Sequence, residues 1–147
     1  MTRVLVINGP NLNLLGTREP EIYGRTTLGE IEERLRRRAA ELGVEIDCFQ
    51  SNHEGALIDR LHERDFDWAI VNAAGLTHTS VSLRDALKGI GRPFVEVHIS
   101  DPGGREPFRH VNYLHDIASE RIVGKGVAGY NMALDYIAGR TGHGAAR

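Results

Sequence analysis

The sequence predicts an α/β fold in which a five-stranded parallel sheet carries helices on both faces. Two observations lead there. Short apolar, β-branched runs alternate with longer segments whose apolar residues recur at helical spacing. Each apolar run also stops at a polar or turn-forming residue, and strand–helix–strand units of this kind close through right-handed crossovers.

The elements follow in order. Val4–Ile7 is free of charge and ends at Asn8, Gly9 and Pro10, which predicts a strand buried on both faces. A long loop without regular period runs to about Arg25, and Leu12, Leu14, Leu15 and Ile22 within it call for burial. Thr27 opens a helix with Glu30 three residues on, a capping box. Its apolar stripe is Leu28, Ile31, Leu35 and Leu42, and Gly43 stops it. Val44–Phe49 is a second strand, and Glu54 to about Asp65 is an amphipathic helix through Leu57, Ile58 and Leu61. Trp68–Val71 is a third strand ending at Asn72, Ser80 to about Ile90 a helix, and Phe94–Val97 a fourth strand ending at His98. Ile122–Val123 makes a short fifth strand, and the last helix spans about Val127 to Ala138. Residues 1–138 are thus expected to form one domain, and 139–147, rich in glycine and alanine, a frayed tail. For a chain of this length the expected strand order is 2-1-3-4-5, the flavodoxin-like arrangement.

Composition narrows the function. The chain has 147 residues, enough for one ordinary domain, and its 41% hydrophobic content supports a packed core. A net charge of −2 gives no electrostatic footprint for nucleic acid. No segment approaches the roughly 18 consecutive apolar residues of a membrane span. Cys48 is the single cysteine, which excludes an internal disulfide and fits a reducing cytoplasm.

Ligands of open parallel sheets sit beyond the carboxyl ends of the strands. Here those ends read Asn8 and Asn11, Ser51-Asn52-His53, Asn72, and His98 with Ser100, all able to hydrogen-bond. The first loop adds Arg18 and Tyr23. A free phenol is only about one part in a thousand ionised at neutral pH, but a guanidinium beside it favours the phenolate and makes it a general base. Glu96 and His98 lie two apart on one strand and so share a face, which suits an imidazole whose charged form a carboxylate supports. His78 lies near the site mouth, backbone amides of Ile99 and Ser100 can cradle a small carboxylate, and Arg105 and Arg109 offer cationic forks. Each segment alone also admits a plain structural role: Tyr23 packing its loop while Arg18 pairs with Glu19 or Glu21, and Glu96 with His98 as a structural pair.

Three motifs lead nowhere. The glycines at 124, 126 and 129 have dinucleotide-loop spacing, but the chain ends before the strand and acidic residue that reading requires. None of the seven histidines has zinc-site spacing with a third ligand, so no metal is expected. Lys88 and Lys125 stand away from the polar strand exits, which argues against imine chemistry. What remains is a base held by an arginine, an acid held by a glutamate and several amide and hydroxyl partners. That set suits cofactor-free proton abstraction beside a carbonyl, followed by loss of a hydroxyl from a small polyhydroxylated carboxylate. The competing class is a non-catalytic flavodoxin-like binding module; a phospho-receiver would need acidic residues where Asn8 and Asn72 stand.

The segments 8–16, 18–24, 50–55, 72–80, 84–86, 96–100 and 105–109, taken in order, resemble the type II 3-dehydroquinate dehydratases from about residue 3 to residue 138. The resemblance implies a flavodoxin-like lyase that converts 3-dehydroquinate to 3-dehydroshikimate by anti elimination through an enolate, most readily within the shikimate pathway, with quinate breakdown as the alternative. It implies Tyr23 as the base, activated by Arg18, and Asn11 as holder of the water at the enolate oxygen. His98 would be the acid, with Glu96 behind it. Asn72, His78, Ile99, Ser100 and Arg109 would bind substrate, and Asp85 would reach a neighbouring subunit's site in a homododecamer built from trimers. The stretch Asp101–Gly104 and the alanine after Asn72 depart from the commonest wording of that family.

Overall fold

The computed structural model describes residues 1–17 and 19–142. The strands are β1 (Arg3–Asn8), β2 (Glu45–Gln50), β3 (Trp68–Asn72), β4 (Phe94–His98) and β5 (Glu120–Val123). The helices are α1 (Pro20–Tyr23), α2 (Leu28–Leu42), α3 (Glu54–His62), α4 (Val81–Ile90) and α5 (Ala128–Thr141). All neighbouring strands pair in parallel in the order β2-β1-β3-β4-β5, the flavodoxin-like order that the alternation of segments predicts.

Alternation along the central strands divides the core in two. Val4, Val6, Ile70, Val95 and Val97 pack against Ile31 and Leu35 of α2 and Leu134 and Ile137 of α5. Leu5, Ile7, Ala69, Val71 and Phe94 pack on the opposite face against Leu57 and Leu61 of α3 and Leu83 and Leu87 of α4. Each fully buried aliphatic side chain contributes about 1.5–3 kcal/mol, so the two layers fix the sheet that carries the strand ends. The Thr27–Glu30 capping box forms in both directions, and Gly43 closes α2 at φ 72°. Ser80 Oγ accepts the Leu83 N–H at 2.9 Å and caps α4.

Four expectations need correction. The first loop is not structureless: it holds a 3₁₀ turn at Leu12–Leu14 and the single turn α1, whose Pro20 sets the helical φ. Elements this short leave no period to read. Within it Leu12 and Leu15 are buried, but Leu14 is 44% exposed. Helix α3 stops at His62, because Arg64 turns to φ 53° and frees Asp65 to bind Arg60 Nη1 at 2.7 Å. Helix α5 runs on through Gly139 and Arg140 to Thr141 rather than fraying after Ala138; Arg140 covers the Tyr136 ring at 4.3 Å, and the left-handed residue is Gly142 at φ 84°. Residues 143–147 of the expected tail lie outside the described residues.

The glycine motif after β5 forms a close strand–helix turn. Gly124 and Gly126 adopt φ 72° and 63°, and their N–H groups donate to the carbonyls of His98 at 3.1 Å and Ile99 at 3.0 Å. This ties the exit of β4 to the start of α5. Among the described residues no helix is long and apolar enough to cross a membrane.

Candidate active site

The parallel register sets Asn8 beside both Gln50 and Asn72, so three amide side chains end neighbouring strands. Gly9 follows, and its N–H donates to the Asn72 carbonyl at 2.8 Å. A Cβ there would fall 2.5 Å from the Ala73 carbonyl oxygen, so only glycine lets the two exits approach. Asn11 takes the left-handed conformation at φ 72°. Its N–H donates at 2.9 Å to Asn52 Oδ1, which also accepts from Gln50 Nε2 at 3.1 Å.

Tyr23 ends α1, and its hydroxyl accepts from Arg105 Nη1 at 2.6 Å. The Asp101–Gly104 stretch leads directly into Arg105. Asp101 Oδ1 accepts the Gly103 N–H at 2.9 Å, closing a 3₁₀ turn at Pro102–Gly104 whose next residue is Arg105. Glu19 and Glu106 stand 3.9 and 3.8 Å from that guanidinium, and Ser100 Oγ accepts from it at 3.5 Å.

At the end of β4, His98 Nε2 bonds to Glu96 Oε2, as their shared strand face predicts. Glu96 has no solvent exposure. Burial by itself raises its carboxyl, but the hydrogen bonds from His98 and Asn112 and the charges of His98 and Arg121 outweigh it and hold the group below the ordinary carboxylate range. Asn112 Nδ2 donates to the same oxygen at 2.6 Å, while its Oδ1 accepts the Leu114 and His115 N–H groups at 2.7 and 3.0 Å. Arg121 Nε stands 3.5 Å from the second oxygen, Glu96 Oε1.

His78 Nδ1 lies 2.6 Å from the Val111 carbonyl, an acceptor only, so Nδ1 carries the proton and Nε2 presents a lone pair. Burial, with smaller contributions from the charges of His98 and Arg109, lowers its pKa and keeps the ring neutral near pH 7. Arg109 Nε pairs with Glu106 at 2.9 Å. Asn72 Oδ1 accepts the Ala74 N–H at 3.1 Å, and its Nδ2 donates to the Tyr130 hydroxyl at 2.9 Å.

One cavity of about 140 Å³ gathers Asn11, Tyr23, Asn72, His78, His98, Ile99, Ser100 and Arg109, eight of the residues expected in the site, with Arg105 added. Glu96 sits behind His98. Asp85 lies exposed on α4 and does not line the cavity. Arg18 lies outside the described residues. Sequence reasoning gave Arg105 to the ligand rather than to the phenol and passed over Asn112 and Tyr130. Asn52 stood out only as a polar strand exit. The sole hint for Arg105 was its place after a Pro-Gly-Gly turn beside the fourth strand. Among the described residues no cluster of three or more His, Cys, Asp or Glu is arranged to hold a metal ion.

A flavodoxin-like sheet whose strand ends bring a phenol–guanidinium pair and an imidazole backed by a buried carboxylate to one polar cavity carries the groups that acid–base catalysis needs. The family model described as Dehydroquinase class II matches residues 2–138, and the chain belongs to that family. It is similar to the catabolic 3-dehydroquinase of Emericella nidulans, 55% identical over 137 residues, covering 92% of this chain and 90% of the relative. Catabolic 3-dehydroquinase 1 of Fusarium vanettenii is 58% identical over 135 residues, covering 90% and 94%. Among solved structures, the type II dehydroquinase of Butyrivibrio crossotus superposes with a TM-score of 0.90 at 40% identity, over 92% of this chain and 97% of that one. The reaction of this chain is the dehydration of 3-dehydroquinate.

Proposed function

We propose that the chain dehydrates 3-dehydroquinate through an enolate, with Tyr23 as the base and His98 as the acid. Tyr23, as phenolate, takes the proton from C2, and the electron pair moves onto the C3 carbonyl oxygen as the enolate. The enolate then expels the C1 hydroxyl, which leaves as water with the proton of His98. The two side chains finish as phenol and neutral imidazole, and one proton returned from the first to the second resets the site. Arg105 and Arg18 favour the phenolate, Glu96 favours the imidazolium, and Asn11 holds a water at the enolate oxygen. The Ile99 and Ser100 amides take the substrate carboxylate, Asn72 binds near the departing hydroxyl, and His78 and Arg109 hold ring hydroxyls. Every step falls to a side chain or amide of this protein, with no metal or cofactor required.

The observation that supports this most is that Tyr23, bonded to Arg105, and His98, backed by Glu96, line one cavity. Following the conjugated enone of the product at near-ultraviolet wavelengths, with protein dialysed against a chelator, tests the scheme. Full turnover is expected; activity that vanishes on chelation and returns with metal would contradict it.

The exposed position of Asp85 fits a neighbouring subunit's cavity, in trimers assembled as a homododecamer. The catabolic names of the relatives above favour quinate breakdown over the biosynthetic placing expected from sequence. Disruption of the gene should then abolish growth on quinate without creating a need for aromatic amino acids. A single, free cysteine, Cys48, is in keeping with the reducing cytoplasm we propose as its location.

A further inference from the structure

The mechanism leaves unused a buried phenol on the far side of Asn72. Tyr130 of α5 is 1% exposed, and Asn8 and Asn72 beside it are 0% and 3% exposed. Its hydroxyl accepts from Asn72 Nδ2 at 2.9 Å and donates to Asn8 Oδ1 at 2.6 Å. The direction of this chain is fixed from one end. The Ala74 backbone N–H can only donate, so the Asn72 atom facing it at 3.1 Å must be the oxygen. Asn72 Nδ2 is then the atom facing Tyr130, the phenol oxygen must accept, and its proton must go on to Asn8. Burial drives the phenol's pKa upward, so that proton is retained at all working pH values. Among the described residues Asn8 Nδ2 has no partner, so the chain ends there with its donor unmatched.

We propose that Tyr130 is a positioning residue for the dehydration. Its hydroxyl locks the Asn72 amide in one orientation, so that the second N–H of Asn72 is held for the substrate. The inference rests on the proposed contact between Asn72 and substrate. The Ala74 N–H decides which end of the amide is oxygen, and the Tyr130 hydroxyl pins the nitrogen end, so the amide plane can no longer swing about the side-chain torsions. Tyr130 therefore acts through Asn72 and touches no reacting atom.

The test is a double-mutant cycle of Tyr130→Phe and Asn72→Ala, with kcat, KM and thermal midpoint measured for each folded variant. Asn72→Ala raises KM. Tyr130→Phe raises KM about tenfold when Asn72 is present and less than twofold when residue 72 is alanine, a dependence that mere loss of folded enzyme would not produce. Asn8→Ala, which removes the acceptor at the far end and frees the Tyr130 proton to turn, raises KM in the same direction and serves if Tyr130→Phe does not fold. Equal effects of Tyr130→Phe in both backgrounds, with Asn72→Ala impaired, would overturn the role of Tyr130 alone. A normal KM for Asn72→Ala would overturn the substrate contact, and the inference with it.

Discussion

The Tyr23 hydroxyl accepts a hydrogen bond from Arg105 Nη1 at 2.6 Å, and the guanidinium carbon lies 5.3 Å from the centre of the same ring. One cation thus meets the phenol at its oxygen and over its face. Removing it withdraws support from the anion the base must become. Arg105→Met should lower kcat about a hundredfold. Arg105→Lys keeps the charge but not the planar fork and should fall between. A near-normal kcat in Arg105→Met would remove Arg105 from the activation of the base.

Glu96 is a fully buried carboxylate held by a histidine, an asparagine and an arginine. Glu96→Gln should cut kcat by about two orders of magnitude, because the imidazolium loses its countercharge. It should also cost roughly 2 kcal/mol of stability at pH 7, the scale of a charge-assisted hydrogen bond. The folded carboxyl is lowered, so its contribution is complete above the unfolded value near 4.5 and disappears as pH falls through the lower folded value. Urea unfolding of both proteins at pH 7 and pH 3 should show the gap narrowing in acid.

His78 is held neutral with its proton on Nδ1. Its folded value is lowered, so folding stability is complete above the unfolded value near 6.5 and declines as pH falls below it. Substrate affinity should weaken over the same acidic range, since a protonated Nε2 cannot accept a hydroxyl proton. Nitrogen-15 NMR should find the Nδ1–H form at pH 7 and a titration midpoint below that of free histidine. A midpoint above 6.5 would contradict the assignment.

Gly9 stands where a methyl group would press on backbone, 2.5 Å from the Ala73 carbonyl oxygen. Gly9→Ala must push the β1 and β3 exits apart, costing about 1–3 kcal/mol in overpacking. Because Asn72 rides on that exit, KM should rise as well. A chemical denaturation curve and a KM measured on the same preparation check both effects.

The fold was legible because its two central strands carry uninterrupted apolar runs, Val4–Ile7 and Trp68–Val71, and its caps are local: Thr27 with Glu30, and Gly43 after α2, act within one turn. Glu96 and His98 were legible for the same reason, since two residues of one strand necessarily share a face. Contacts made only by folding were not. Arg105 and Tyr23 are 82 positions apart, and nothing in either segment says which cation meets the phenol. Tyr130 lies 58 positions from Asn72 on a helix that is apolar almost all round, where an aromatic residue reads as core. Asn112 sits in an irregular stretch whose turn is made by its own side chain.

The central claim is a division of labour between one phenol and one imidazole, and Tyr23→Phe probes it with the loss of a single oxygen. Turnover of 3-dehydroquinate by this variant should fall by about a thousandfold or more, while calorimetric binding of substrate stays within a few fold of the unmodified protein. A variant that binds and still turns over at a near-normal kcat would show that the proton at C2 leaves by another route.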